Sequence, residues 1–113
     1  MLRDDATLID ILRAARLALE FRGRLERESF LTDLKTQAAV LHELLVLGEA
    51  VKRLSAGFRD EHTDVPWKSI AGMRDRLLHG YDDVDLELVW KTVDQDLPEL
   101  ITRLEGLAPR RDA

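Results

Sequence analysis

Apolar residues recur along this chain at spacings of three and four, which is the period of a helix with one buried face. The first stripe predicts a helix that Asp4 or Asp5 caps and that runs to about Gly23. A second helix is predicted from about Asp33 to Ser55, with an apolar face broad enough to pack on two neighbours. The apolar positions are Leu8, Ile11, Leu12, Ala15 and Leu19, and then Val40, Leu41, Leu44, Leu45, Leu47 and Val51.

Two connecting segments follow from the breaks in this pattern. Residues 28–33 form a short connector in which Phe30 is the expected apolar plug. Ala56 and Gly57 are expected to end the second helix, and residues 58–65 are mostly polar and predict a loop.

The second half of the chain predicts two more helices. Pro66 suits the first turn of a third helix, which is expected to end near His79. Asp85 is expected to cap a fourth, which Pro98 should kink or restart. No stretch alternates with the period of two that marks a strand. The sequence therefore predicts an all-α fold, an antiparallel bundle of four or five helices.

Length and composition narrow the class of protein. A chain of 113 residues is long enough for one domain, expected over residues 1–108, with a frayed C-terminal tail at 109–113. The absence of cysteine excludes disulfide scaffolds, thiolate zinc sites and cysteine nucleophiles. No apolar run approaches the ~20 residues that span a bilayer, and the start shows no signal-peptide pattern. A cytoplasmic protein without membrane contact is expected.

Charge is distributed unevenly along the chain. The net charge of −5 argues against a surface coated for duplex binding. Residues 52–81 nevertheless carry six Lys or Arg against four Asp or Glu, whereas residues 82–107 carry two against eight. Any contact with nucleic acid should therefore be local and lie within the first of these stretches.

Chemically active side chains are concentrated in residues 73–81, Met-Arg-Asp-Arg-Leu-Leu-His-Gly-Tyr. Four residues separate Arg74 from His79, and Tyr81 follows after Gly80. In a chain this rich in arginine, such a spacing is expected about once by chance, so it does not identify a function by itself.

The surrounding sequence is more specific. Residues 35–40, 47–55, 65–76 and 85–90 resemble the HepT-like toxins of the HEPN superfamily, in order and at the expected spacing. The resemblance runs from about residue 8 to residue 105. One departure is Gly80, which stands where bulkier residues are also common and is expected to loosen the turn without removing chemistry.

The resemblance implies a HEPN-like bundle that acts as an endoribonuclease without a metal or other cofactor. It makes Arg74 and His79 the catalytic pair. It also implies a homodimer in which two such segments face one cleft that binds RNA. A minimal nucleotidyltransferase encoded alongside is the implied antitoxin, and Tyr81 is the implied site at which it adds AMP.

The residue types suit this chemistry. Cleavage of RNA without a metal needs a base for the 2′-hydroxyl proton, an acid for the leaving oxygen, and positive charge on the phosphoryl group. Histidine titrates near neutrality and the guanidinium of Arg74 matches phosphate oxygens. Asp75, four residues before His79 on a helix, is a candidate to hold the imidazole. Arg76 is a candidate RNA contact, although a structural ion pair is an alternative.

Helical geometry bears on the dimer. Five positions along an ideal helix rotate a side chain by about 140°, so Arg74 and His79 should diverge unless the helix distorts at its end. A site assembled across a two-fold axis would bring one of each together.

Less specific interpretations of these residues are also open. His79 could be a capping partner at a helix end, Arg74 a surface residue paired with Glu49 or a neighbour of Asp75, and Tyr81 a half-buried anchor. The chain could then be a catalytically silent subunit that docks a nucleotidyltransferase, or a purely structural helical dimer. The aromatic and imidazole side chains expected to be ordinary are Trp67, Trp90, His42 and His62.

Overall fold

The computed structural model describes residues 3–80 and 83–108, and every regular element within these ranges is helical. The helices are α1 (Arg3–Arg22), α2 (Arg27–Phe30), α3 (Leu34–Val51), α4 (Ala56–Glu61), α5 (Trp67–Ala71), α6 (Met73–Leu77), α7 (Leu86–Lys91), a π-helical segment (Thr92–Asp96) and α8 (Leu97–Glu105). The all-α prediction is confirmed. In the part of the chain described here, no helix combines the length and the apolar character needed to cross a bilayer.

Polar pairs along α1 show how the long helices run. Pairs near the start of α1 reach residues just beyond the end of α3. Later positions of α1 meet progressively earlier residues of α8 and the π-helical segment. The pairs are Asp4 with Ser55, Asp10 with Arg53, Arg16 with Glu105, and Arg22 with Asp94. Helix α1 is therefore antiparallel to both neighbours, as a bundle with short connections requires.

The core lies between α1, α3 and the C-terminal helices and is almost entirely aliphatic. Phe30, the predicted plug, is fully buried. The side-chain amide of Gln37 donates a hydrogen bond of 2.9 Å to the backbone carbonyl oxygen of Phe30. Most predicted core positions of α1 and α3 are buried, whereas Leu19, Leu41 and Leu45 are only partly so. The amphipathic pattern thus identified the packed faces of both long helices.

The start of α1 differs from the prediction. Among the described residues α1 begins at Arg3, so Asp4 and Asp5 lie within its first turn instead of preceding it. The Asp4 carboxylate accepts hydrogen bonds from the Ser55 amide at 2.9 Å and from the Ser55 hydroxyl at 2.6 Å. Asp4 therefore joins α1 to the start of α4.

The predicted loop at residues 58–65 is partly helical. Helix α3 ends at Val51, and the Ser55 hydroxyl accepts a hydrogen bond of 3.1 Å from the Phe58 amide, which caps α4. Ala56 and Gly57 therefore begin α4 instead of ending the preceding helix. A serine N-cap outweighs the weak helix propensity of glycine in so short an element.

The predicted third helix is divided into α5 and α6 at Gly72, whose backbone has φ −88° and ψ 8°. The end of α5 lies close to α3, because a Cβ added at Gly48 would approach the Ile70 carbonyl oxygen to 3.1 Å. The approach of these two backbones places α6 relative to the long helices.

The fourth helix behaves as expected. The Asp85 carboxylate accepts a hydrogen bond of 3.1 Å from the Leu88 amide and caps α7. The π-helical segment ends at Asp96, two residues before Pro98 in the first turn of α8. Proline has no amide hydrogen, and its ring crowds the carbonyl four residues earlier, so the preceding turn widens.

Candidate active site

Helix α6 is short and carries Arg74 on its exposed side. Met73 and Leu77 are buried at 4% and 0% exposure and hold the helix on the core, whereas Arg74 and Asp75 between them are exposed. Five residues form little more than one turn, so tertiary packing and not helix propensity stabilises this element. Arg74 therefore has a fixed backbone and a side chain in solvent.

The sequence predicted a helix that reaches His79, but His79 lies beyond the end of α6. Helix α6 ends at Leu77, and Leu78 is extended, with φ −115° and ψ 117°. Leu78 forms an antiparallel bridge with Val84. The His79 amide donates to the Asp83 carbonyl oxygen at 2.7 Å. Because the helix stops first, the 140° rotation between Arg74 and His79 does not apply, and that argument for a dimer loses its basis.

Gly80 adopts φ +99°, a conformation that side-chain-bearing residues rarely take. A Cβ added there would meet nothing within 4 Å, so backbone strain and not crowding would oppose a larger residue. Gly80 thus turns the chain directly after His79. It does not end the helix, because α6 already ends at Leu77. Tyr81, the predicted modification site, lies outside the described residues.

The carboxylate next to His79 is that of Asp85. Its Oδ2 lies 3.6 Å from His79 Nε2, and the two side chains are 55% and 38% exposed. Among the described residues Asp75 forms no ion pair with the imidazole, which contradicts the partnership expected from helical spacing. Sequence reasoning identified Asp85 as a helix cap but missed this contact. The available signal was an aspartate at a helix start shortly after the histidine.

Arg76 stabilises the break between α5 and α6. One terminal nitrogen of its guanidinium donates a hydrogen bond of 2.6 Å to the Ser69 carbonyl oxygen. This contact spans Gly72 and ties the end of α6 to α5. The contact is a hydrogen bond to backbone and not the ion pair considered from sequence, and an RNA contact of Arg76 stays a prediction.

The side chain of Arg74 forms no ion pair or hydrogen bond with another described residue. Glu49, a partner considered from sequence, is instead 3.0 Å from Lys52. The arginines paired with carboxylates are Arg16, Arg22, Arg27, Arg53 and Arg103. Within the described residues, the guanidinium of Arg74 is therefore exposed and has no carboxylate beside it.

Comparison with known proteins supplies the family. Residues 11–107 match the family described as "Ribonuclease HepT-like". The chain belongs to the HepT-like ribonuclease family. A protein named "Probable ribonuclease HepT" from Thermococcus cleftensis is 43% identical over 100 residues, covering 88% of this chain and 91% of the relative. A "Putative RNase" from Methanocaldococcus jannaschii is 39% identical over 102 residues, covering 90% and 84%. No solved structure matches the chain.

The other histidines of this HepT-like chain lie in ordinary surroundings. His42 is exposed, with Nε2 3.9 Å from Glu43, and the His62 ring packs on Phe58 with centroids 4.6 Å apart. Within residues 3–80 and 83–108, no group of three or more His, Asp or Glu side chains has the arrangement of a metal site. His79 is therefore the described histidine that combines exposure, a carboxylate partner and an arginine nearby in sequence.

The two tryptophans and the carboxylates with altered pKa values lie elsewhere. Trp67 is buried and donates a hydrogen bond of 2.8 Å to the His62 carbonyl oxygen. Trp90 is partly buried and packs on Phe30, with centroids 5.5 Å apart. Hydrogen bonds from Ser55 lower the pKa of Asp4, and those from Thr36 lower the pKa of Asp33. These features lie in the helices around the candidate site and not at Arg74 or His79.

Proposed function

We propose that this chain is a metal-independent endoribonuclease in which Arg74 and His79 are the catalytic residues. The observation that carries the proposal is an exposed imidazole with its own carboxylate partner, close in sequence to a guanidinium that has no partner among residues 3–80 and 83–108, in a member of a ribonuclease family. RNA is the substrate because the 2′-hydroxyl supplies the nucleophile that a site without a metal otherwise lacks.

The reaction begins when His79 takes the proton of the 2′-hydroxyl. The 2′ oxygen then forms a bond to the adjacent phosphorus while the bond from phosphorus to the 5′ oxygen breaks. Arg74 donates to the non-bridging oxygens, where negative charge develops. The leaving 5′ oxygen accepts a proton. The products are a 2′,3′-cyclic phosphate and a 5′-hydroxyl.

We further propose that the active form is a homodimer. One imidazole cannot serve in the same step as both the base for the 2′ oxygen and the acid for the 5′ oxygen, since the two lie on opposite sides of the phosphorus. Two copies related by a two-fold axis would supply two imidazoles and two guanidiniums to one cleft. This argument replaces the one from helical rotation, and the family resemblance supports it.

The biological role proposed for the dimer is that of a toxin in the cytoplasm, neutralised by a cognate minimal nucleotidyltransferase that adds AMP to Tyr81. The position of Tyr81 in the sequence, two residues after His79, supports this proposal. An AMP group beside Arg74 would place a phosphate in competition with RNA for the guanidinium, and its nucleoside would fill the cleft. Modification should therefore block the substrate without unfolding the bundle.

Cleavage of RNA by the purified, unmodified protein in EDTA tests the enzymatic proposal. We expect products with 2′,3′-cyclic phosphate or 3′-phosphate ends. Arg74→Ala and His79→Ala should lose cleavage while keeping the helical circular dichroism. Arg13→Ala and His42→Ala are matched controls, because these residues are exposed and lie elsewhere. A strict requirement for magnesium would refute the mechanism, and folded Arg74→Ala or His79→Ala with full activity would refute the residue assignment.

Mixing Arg74→Ala with His79→Ala chains tests the dimer. Some activity should return, because the shared cleft of the mixed dimer keeps one imidazole and one guanidinium, with water in place of the second imidazole as the acid, whereas each parent cleft lacks one kind of group entirely. Sedimentation equilibrium should show a mass of twice 12.9 kDa at micromolar concentration. A monomer would contradict the shared cleft, and mixed chains as inactive as either parent would show that one imidazole and one guanidinium from different chains do not form a working site.

Intact mass spectrometry after incubation with the cognate nucleotidyltransferase and ATP tests the antitoxin proposal. Gains in steps of one AMP are expected on the wild type and not on Tyr81→Phe, which should remain an active ribonuclease. The same gain on both proteins would move the modified residue elsewhere. A protein that gains AMP but never cleaves RNA would instead be a silent docking subunit.

A further inference from the structure

Asp85 joins two features that are separate in the sequence, the start of α7 and the imidazole of His79. Its Oδ1 accepts the hydrogen bond from the Leu88 amide at 3.1 Å, and its Oδ2 lies 3.6 Å from His79 Nε2. The two contacts use different oxygens. The cap therefore fixes the orientation of the carboxylate and leaves the second oxygen facing the imidazole.

The backbone on both sides is held in register as well. The Asp85 amide donates to the Leu77 carbonyl oxygen at 2.8 Å, and the His79 amide donates to the Asp83 carbonyl oxygen at 2.7 Å. These bonds close the segment between α6 and α7 at its base. His79 and Asp85 consequently face each other beside the isolated bridge between Leu78 and Val84, and neither backbone can shift without breaking a hydrogen bond.

We propose that Asp85 is a positioning residue that keeps the proton of the neutral His79 imidazole on Nε2 and leaves Nδ1 as the basic atom. The inference rests on the ribonuclease function proposed above. A neutral imidazole has one protonated and one free nitrogen, and an ionised carboxylate can only accept, so the nitrogen that faces it carries the proton. The two atoms are 3.6 Å apart, just beyond hydrogen-bond distance, so the proposal requires the contact to shorten when substrate binds, as the contacts of catalytic groups often do.

The tautomer determines which atom reacts. Nδ1 takes the proton of the 2′-hydroxyl, the 2′ oxygen bonds to phosphorus, and the 5′ oxygen leaves with a proton from the second imidazole of the proposed dimer. The His79 imidazolium that forms carries protons on both nitrogens. Its Nε2 proton faces Asp85, whose negative charge stabilises the positive ring as it develops.

Asp85→Asn separates this role from that of a helix cap. Asparagine caps helices about as well as aspartate, so α7 should form normally. If the amide oxygen takes over the cap, the amide nitrogen faces Nε2 and donates to it. The proton must then sit on Nδ1, and the base is lost. We expect kcat to fall by about 10²-fold or more with KM changed by less than about twofold.

Two further variants control for the cap. Asp33→Asn makes the same substitution at the cap of α3, where the carboxylate accepts from the Thr36 amide at 3.0 Å, and it should leave cleavage unchanged. Asp85→Ser retains a capping hydroxyl but has no group that reaches the imidazole, and it should lose kcat as Asp85→Asn does. Melting curves of all three verify that each is folded.

Two-bond ¹H–¹⁵N spectra of the imidazoles, recorded where His79 is neutral, give a readout that does not depend on activity. We expect a proton on Nε2 in the wild type and on Nδ1 in Asp85→Asn. The same tautomer in both proteins, or wild-type kcat in folded Asp85→Asn, would overturn the proposal. A wild type that cleaves no RNA would refute the ribonuclease function, while the spectra would still decide the effect of Asp85 on the proton.

Discussion

Helices α1 and α3 and the segment from α4 to the start of α7 are built in different ways. The two long helices have 20 and 18 residues, and each buries a continuous apolar stripe. Helices α4, α5 and α6 have six, five and five residues, too few to be stable alone. Periodic burial forms the frame, whereas individual contacts form the segment that carries Arg74 and His79.

Those individual contacts can be named. The close approach of Gly48 to the Ile70 carbonyl oxygen places α5, the hydrogen bond from Arg76 to Ser69 joins α6 to it, and Asp85 ties the following turn to α7. Because they are built differently, the two regions should respond differently to mutation. Changes in the frame should lower the stability of the whole domain, and changes in the other region should alter the site.

The largest effect on stability is expected for Phe30→Ala, which removes a fully buried aromatic ring from the frame. The lost burial and the resulting cavity should lower the free energy of unfolding by about 3–5 kcal/mol. Urea denaturation followed by circular dichroism measures the change.

Phe21→Ala is the matched control, because Phe21 is 41% exposed on α1. It should cost less than about 1 kcal/mol. Equal losses for the two variants would show that Phe30 does not close the core.

A smaller effect is expected for Gly48→Ala, which tests the connection between the two regions. The added Cβ would lie 3.1 Å from the Ile70 carbonyl oxygen, so α5 must move away from α3. Overpacking of this kind costs about 1–3 kcal/mol and exceeds the gain of about 1 kcal/mol in helix propensity. RNA cleavage should fall as well, because α6 follows α5.

Gly57→Ala provides the comparison for this variant. A Cβ at Gly57 meets nothing within 4 Å, so alanine should be neutral or stabilise α4 by up to about 1 kcal/mol. If Gly48→Ala were also stabilising and fully active, the proposed connection through the Ile70 backbone would be wrong.

The smallest effect is expected for Asp4→Asn and should depend on pH. The hydroxyl and amide of Ser55 lower the pKa of Asp4, so its carboxylate stabilises the fold above its ordinary pKa of about 3.9 and loses that contribution as the pH falls through the lowered value. The wild type should be slightly more stable than Asp4→Asn near pH 7, and the difference should vanish in acid.

Asp5→Asn removes a charge from the same helical turn, but Asp5 forms no contact with Ser55 among those described. It therefore separates the Ser55 contact from the helix dipole. A difference between wild type and Asp4→Asn that persists unchanged in acid would rule out the titrating carboxylate as its source.

The frame could be predicted from the sequence because periodicity is a property of many residues together. The stripes of α1 and α3, the Phe30 plug and the Asp85 cap all follow from local patterns. The break at Gly72 could not be predicted, because it depends on the Arg76 hydrogen bond to Ser69 and on packing against Gly48, which are tertiary contacts.

The candidate site shows the same division. The motif and its context predict Arg74 and His79 as the catalytic residues, and this stays a prediction. Helical spacing predicts Asp75 as the partner of His79, which is wrong because that spacing requires a helix through residue 79. Helix α6 ends at Leu77, and the bridge between Leu78 and Val84 brings Asp85 to the imidazole instead. A contact across a turn leaves no periodic trace in a sequence.

The most direct test of the account measures RNA cleavage in EDTA by His79→Ala, with and without free imidazole. His79 is 55% exposed, so a small imidazole can reach the space that its ring leaves. The account predicts that the substitution lowers the rate by about 10²–10⁴-fold and that imidazole restores part of it while the melting curve stays that of the wild type. Undiminished cleavage by folded His79→Ala would contradict it.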